Sequence, residues 1–404
     1  MARDQVQVGL EIGTTKVCAV VAECRKDGEL RILGVGESPS RGVRKGEIVD
    51  FQNATKCVHD ALADAEDRSD FEIKSVWVAV TGSHIESFNN RGAITMEEGT
   101  EITENEIEDV EQKAKAVNLN RENDIIHTIR QHYYVDGREG VINPSSIGGS
   151  KLEVDFHIIH GVINRVQTTI RCVREFDIDV RDVVVNSVAS AQIVLDDQQK
   201  AAGAMVIDIG GGVTDYIVYQ DGVVSHSGVI AIGGDHITND LCIGLRIPLT
   251  RAEKLKIEEG SADLQNIPRG DKIILKNDTG FSGKEVDREL LNQIIHARLQ
   301  ELFIIIRKRI HEAAPVHLLG AGIMLTGGCS LIRGIRELAE SVFEAPVYLA
   351  HAQSVSGPTS AFQNPQLSTA IGLVKYAQGV QAITPPESMF TKLVKSITGK
   401  LHIL

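Results

Sequence analysis

Asp208, then Gly210, Gly211 and Gly212, then Thr214 and Asp215 break an otherwise apolar run from Met205 to Tyr219, and that combination suits the holding of phosphate. Glycines remove the side chains that keep phosphate oxygens off the backbone, so that amide N–H groups can converge on an anion. The Thr214 hydroxyl adds a donor, and the carboxylates Asp208 and Asp215 can orient magnesium and its waters. A related pattern lies near the start of the chain, over 8–21, where Glu11, Gly13, Thr14, Thr15 and Lys16 separate two apolar runs. Lys16 adds a point charge, and Glu11 is the counterpart of Asp208. One glycine turn is usually only a turn. Two copies with matched acids point to one nucleotide gripped between two related halves.

Strands must carry these residues. Val6, Val8, Leu10 and Ile12 alternate with Gln5, Gln7, Gly9 and Glu11, the period of a β-strand, which puts Glu11 near a strand end. A third segment, 323–339, reads as a buried strand, the turn Gly327-Gly328, the small polar Ser330 and a helix-like stretch. Paired glycines there let a base and ribose lie against the backbone. Between these segments come Gly233 and Gly234, within 231–241, and a helix over 249–260. Lys254 and Glu258 stand four apart on that helix, where they either flank the ribose or form an ordinary surface ion pair.

This order of elements resembles the actin-like ATPase superfamily, including its two connecting helices, here at 185–195 and 367–377. Within it, LEIGTTKV, IDIGGGVTD, AIGGDHITNDL, RAEKLKIEEG and IMLTGGCSLIRG are similar to motifs of the FtsA family of bacterial cell-division proteins. The resemblance covers nearly the whole chain apart from one insert and the tail. It implies an α/β fold of two lobes, built as duplicated ribonuclease-H-like domains, that binds ATP and Mg2+. The glycines, threonines, Lys16, Lys254, Glu258 and Ser330 above would hold the nucleotide, with Glu11, Asp208 and Asp215 at the metal. Asp208 is the catalytic candidate by its place in the motif. Most of the superfamily has Asp where this chain has Glu11, and magnesium keeps an octahedral shell at about 2.0–2.1 Å, so the extra methylene must shift the ion or its waters. ATP binding is expected; slow hydrolysis is left open.

At 404 residues the chain exceeds the usual size of one hydrophobic core, in keeping with two lobes. Cys18, Cys24, Cys57, Cys172, Cys242 and Cys329 show no paired spacing, which argues for a reducing compartment and against a zinc site. Neither a G-x-x-x-x-G-K-[ST] loop nor a G-x-G-x-x-G fingerprint is present, and His157 and His160 read as members of a strand. The polar start Met1–Gln5 predicts no secretory signal, and no stretch approaches the roughly 20 apolar residues of a membrane-spanning helix. A net charge of −13 disfavours nucleic acid as a partner.

Composition shifts divide the chain into a first lobe core at 1–83 and 163–200, an inserted α+β subdomain at 84–162, a second lobe core at 201–234 and 316–377, its small subdomain at 235–315, a linker at 378–387 and a terminal helix at 388–404. In the insert, Thr103 and Glu106 form a capping box for a helix over 102–117, and strands are expected at 125–135 and 152–163. The resemblance implies that the insert serves self-association and contacts with other division proteins; its alternative is a packing module. The helix expected at 290–310 ends in Arg307, Lys308 and Arg309, which suits a helix C-terminus. By resemblance, its surroundings would receive the acidic C-terminal peptide of the tubulin-like division protein FtsZ, with Arg298 as the contact or, alternatively, as a solvated arginine.

In 388–404, Phe390, Leu393, Val394, Ile397, Leu401 and Leu404 form one apolar helical stripe, with Lys392, Lys395 and Lys400 off it and no acidic residue in the segment. Ser388 is a suitable N-cap, and Pro385-Pro386 sets the helix apart. Gly399 weakens it by about 1 kcal/mol. The composition fits an amphipathic helix in the interface of an anionic bilayer, and the resemblance implies the same; a terminal helix packed on its own domain is the alternative. The expectation is a peripheral protein on the cytoplasmic face of the inner membrane at the division site, which polymerises and ties FtsZ filaments to that membrane. A pilus-assembly adaptor of the same fold and a small-molecule kinase of the superfamily are the competing readings.

Overall fold

The computed structural model of the chain describes residues 5–265, 270–277, 281–311 and 316–383. Val6–Ile12 and Lys16–Cys24 form an antiparallel hairpin in which Ile12 faces Val17 across the turn. Leu30–Pro39 continues the sheet beyond Lys16–Cys24, while Ser75–Val80 and then Asp179–Val185 add in parallel on the other side. The sheet is covered on both faces, so the strand Lys16–Cys24 is buried along most of its length. Val17, Ala19 and Val21 pack with Ala54, Val58 and Ala61 of the helix Phe51–Ser69, which starts where the Asp50 carboxylate accepts the Asn53 N–H. Cys18, Val20 and Ala22 turn the other way, toward the helices Asn186–Val194 and Ser368–Ile383.

The second lobe repeats the plan. Ala204–Ile209 and Thr214–Gln220 form its hairpin, with Asp208 opposite Asp215, and its strand order is Val223–Ile230, Thr214–Gln220, Ala204–Ile209, Gly322–Thr326, Val347–Leu349. One face, with Ala204, Val206 and Ile217, meets the same two central helices, so a single core spans both lobes. The other, with Met205, Ile207 and Ile209, is covered by the helices Gly234–Leu245, Leu249–Glu259 and Arg288–Ile310. Residues 378–383, expected as linker, instead continue the helix Ser368–Ile383, which runs through Gly379 because no proline interrupts it before Pro385-Pro386. The membrane-helix residues Phe390, Lys392, Leu393, Lys395, Ile397, Lys400 and Leu401 lie outside the described residues. Among the described residues no helix is long and apolar enough to cross a membrane.

The insert leaves the first lobe after Ser75–Val80 and returns at the helix Ile163–Arg174. Its sheet runs Glu86–Glu101, Gly148–Val162, Asn123–Val135, Arg138–Val141. The helix Glu104–Lys115 covers it with a complete capping box: the Thr103 hydroxyl caps the first turn and the Glu106 carboxylate accepts the Thr103 N–H at 2.9 Å. The strand Glu86–Glu101 was not among the sequence expectations, since polar residues occupy both of its faces and blur the period. At its base the insert reaches the second lobe. Ser87 Oγ donates to Ser227 O at 2.7 Å, Asn89 Nδ2 to Ser225 O at 3.0 Å and Gln131 Nε2 to Val224 O at 2.6 Å, all on the edge strand Val223–Ile230.

Candidate functional site

The two hairpin turns meet at the junction of the lobes. A Cβ on Gly212 would lie 2.5 Å from Thr14 Oγ1 and against the Lys45 backbone, so that position has no room for a side chain, and one on Gly211 would lie 2.4 Å from Thr15 Cγ2 and displace that side chain. Between the lobes opens a cleft of about 400 Å³. Gly13, Thr14, Thr15 and Lys16 line it from one lobe, and Gly210, Gly211, Gly212 and Gly234 from the other, with Gly327 and Gly328 at the far turn.

Three carboxylates stand at the ends of the hairpin strands. Asp208 accepts a hydrogen bond from Thr369 Oγ1 at 2.9 Å, and both Asp215 oxygens accept from Thr81 Oγ1, at 2.7 and 2.9 Å. Glu11 Oε2 is buried without a hydrogen-bond partner. Burial, reinforced by the negative charge of Asp208, pushes the Glu11 carboxyl up to about 8. Burial also raises Asp208 to about 6 and, together with Asp208 and Glu11, holds Asp215 well above the usual carboxylate range. Carboxyl groups gathered out of water, one with an unused oxygen, suit a divalent cation, which would favour their ionised forms. Among the described residues no three acidic, histidine or cysteine side chains converge tightly enough to ligate one ion directly. A hard cation that keeps its own waters fits this arrangement, with the carboxylates accepting from the water shell.

Several sequence-derived site residues are turned away from the cleft or already engaged with other groups. Thr214 is fully buried and its hydroxyl donates to Ile232 O at 2.8 Å, while Ser330 Oγ donates to Gly327 O at 2.7 Å and so braces the turn from behind. The Gly233 N–H is taken by His236 Nδ1, and Lys16 Nζ, at the cleft wall, pairs with Glu37 at 2.6 Å. Lys254 and Glu258 form an exposed ion pair at 3.7 Å, away from the cleft. The helix Leu249–Glu259 buries Ala252 and Leu255 against the lobe, and at about 100° per residue this turns Glu253, Lys256 and Ile257 toward the cleft instead. Lys256 Nζ is buried, 2.7 Å from Glu253 Oε2, 2.9 Å from Thr238 Oγ1 and 3.2 Å from Gly234 O. Glu253 and Lys256 sit in the RAEKLKIEEG motif, where their i,i+3 spacing was available as a signal. Thr81, Asn186 and Thr369 also line the cleft, and no local pattern marks them.

Arg298 holds Asp240 through Nε at 2.6 Å and Nη2 at 3.0 Å, and Glu301 through Nη1 at 2.5 Å. It is therefore an engaged fork rather than a solvated arginine.

The sequence profile described as "Cell division protein FtsA" matches residues 205–372, and that of the "SHS2 domain inserted in FTSA" matches 82–160. The chain is 36% identical to the cell division protein FtsA of Pseudomonas aeruginosa over 91% of this chain and 88% of that protein. With FtsA of Borreliella burgdorferi it shares 34% identity over 99% of this chain and 98% of that protein. Among solved structures it is similar to the PilM-PilN type IV pilus biogenesis complex, with a TM-score of 0.64 at 14% identity over 92% of this chain and 98% of that chain. It is also similar to MreB5 of Spiroplasma citri bound to ADP, with a TM-score of 0.54 at 17% identity over 94% of this chain and 99% of that chain. These two likenesses establish the fold. The twin hairpins, the insert and the identity along nearly the full length of its relatives place this chain in the FtsA family of cell division proteins, on the actin-like ATPase fold.

Proposed function

We propose that the cleft binds Mg2+·ATP and that the loaded chain assembles into filaments. In this proposal residues 388–404 attach those filaments to the anionic cytoplasmic face of the inner membrane at the division site, tying FtsZ filaments there. The observation that carries the reading is the meeting of two glycine hairpins around buried carboxylates. Backbone N–H groups of the hairpins and the Thr14 and Thr15 hydroxyls hold phosphates, and Glu253 and Lys256 face the ribose. Bound Mg2+ neutralises the phosphates. Glu11, Asp208 and Asp215 accept from its waters, and Asp208 orients the water that attacks if the chain hydrolyses ATP. The C-terminal peptide of FtsZ docks beside the helix Arg288–Ile310, where a peptide carboxylate takes the place of the exposed Glu301 on Arg298. Other division proteins meet the insert.

One lysine-bearing helix holds a membrane weakly, and a filament multiplies the contact. Sedimentation with anionic vesicles tests the proposal. The native chain pellets, more with Mg2+·ATP than without, and a chain ending at Pro386 stays in solution. Equal pelleting of both chains overturns the tether.

A further inference from the structure

The strands Val43–Arg44 and Glu47–Ile48 form a small hairpin whose turn is Lys45-Gly46, with φ of 52° and 76°. A two-residue turn with both φ positive is the setting for Asn-Gly or Gly-Gly, and a lysine held in the left-handed region costs conformational energy that glycine would not. What lysine adds is its ammonium. This tip is pressed into the end of the cleft where the two phosphate hairpins meet. The Gly46 N–H donates to Thr14 Oγ1 at 3.1 Å, and a Cβ on Gly212 would lie 2.9 Å from both Cα and N of Lys45. Gly46 and Thr81 line the cleft together, and Thr81 in turn holds Asp215.

The cations around Lys45 are mostly spent. Lys16 is paired with Glu37, Lys256 with Glu253 and Arg165 with Glu47. Lys45 is exposed, and among the described residues no carboxylate stands within ion-pair distance of it. Its charge reaches across the lobe boundary: burial first, and then Lys45, hold the His236 imidazole below its usual range on the helix Gly234–Leu245.

Glu253, Lys256 and Ile257 line the cleft from the helix Leu249–Glu259, and Thr81, Gly46 and Gly212 line it at the hairpin turns, so a nucleotide whose ribose faces Glu253 and Lys256, as proposed above, sends its terminal phosphate toward those turns. Resting on the nucleotide-binding reading above, we propose that Lys45 binds the terminal phosphate of a nucleoside triphosphate and so selects triphosphate over diphosphate. The hairpins supply donors to either nucleotide; only a third phosphate reaches the Lys45 ammonium.

Lys45→Gly tests this, because glycine takes the same turn without strain while removing the charge. Calorimetry on the full chain with Mg2+ and either ADP or a non-hydrolysable ATP analogue gives the two affinities. Triphosphate affinity falls on the order of tenfold or more, the worth of a charge-assisted hydrogen bond, while diphosphate affinity and the melting temperature without nucleotide do not fall. Equal loss for both nucleotides, or loss for neither, overturns the role of Lys45 alone. A native chain that binds neither nucleotide overturns the cleft reading and this one with it.

Discussion

Glu11 combines a buried, unpartnered oxygen with a carboxyl pushed up to about 8 by burial and by Asp208. Without nucleotide it therefore holds a proton in the folded chain that the unfolded chain, titrating near its ordinary value of 4.5, gives up. The sign follows from linkage: this contribution to stability is complete below the unfolded value and is lost as pH rises through about 8. Glu11→Gln keeps the shape and removes the ionisation. Denaturation without nucleotide is expected to show the native chain losing more stability than Glu11→Gln between about pH 6 and about pH 8. Calorimetry is expected to show weaker Mg2+·ATP binding by the variant. Parallel pH curves for the two chains would mean that Glu11 is already ionised in the free protein. The site keeps a buried carboxyl without a partner because a bound cation favours its ionised form, so that cation binding displaces the proton and uses the free oxygen.

At the scale of elements, the helix Glu104–Lys115 shows how a local signal specifies a start point. Thr103 and Glu106 satisfy each other's orphan groups, and Val110 and Ala114 then seat the helix on the insert's own core with Tyr133, Leu152 and Phe156. Thr103→Ala is expected to lower stability by about 1 kcal/mol, read by hydrogen exchange as faster opening of residues 104–115, with the lobe cores unaffected. Exchange that quickens equally in the strand Ala204–Ile209 would show that the insert does not open on its own. The helix Leu249–Glu259 teaches the complementary lesson. Its existence was legible, but its rotation about its own axis depends on Ala252 and Leu255 finding the lobe, and that rotation decides whether Lys254 or Lys256 meets the cleft.

In the whole molecule, the insert braces the second lobe although it grows from the first. His157 is fully buried in that joint, with Nδ1 2.6 Å from Asn89 Oδ1 and Nε2 2.7 Å from Ser227 Oγ. Because Asn89 Nδ2 already donates to Ser225 O, Oδ1 must accept, so the His157 Nδ1 carries the proton and Nε2 accepts from Ser227. Burial, then the nearby His226 and His127, lower His157 to about 3, and burial lowers His127 to about 4. An imidazole kept neutral when folded yields stability that is present above the unfolded value near 6.5 and is lost as pH falls through that value toward the folded one. Between pH 7 and pH 5 the native chain is expected to lose on the order of 1–2 kcal/mol more than His157→Gln, measured by denaturant titration at both pH values. Identical losses would place the acid sensitivity elsewhere, with His127 the next group to replace.

The glycine hairpins, the acids at their strand ends, the capped helix of the insert and the long helix Arg288–Ile310 were all legible in the chain. Each depends on neighbours a few residues apart, where backbone freedom, hydrogen bonding to the next turn and the period of apolar residues act directly. The pairing of Arg298 with Asp240, the turning of Thr214 away from the cleft, the arrival of Thr81, Asn186 and Thr369 in its lining, and the seating of the Lys45-Gly46 turn beside Thr14 and Gly212 were decided only when the lobes packed. Those residues come from segments far apart in sequence, and their meeting is set by the central helices Asn186–Val194 and Ser368–Ile383, which seat both sheets on one core. No local preference carries that information, because the energy that selects it is the burial of surfaces shared between the two halves.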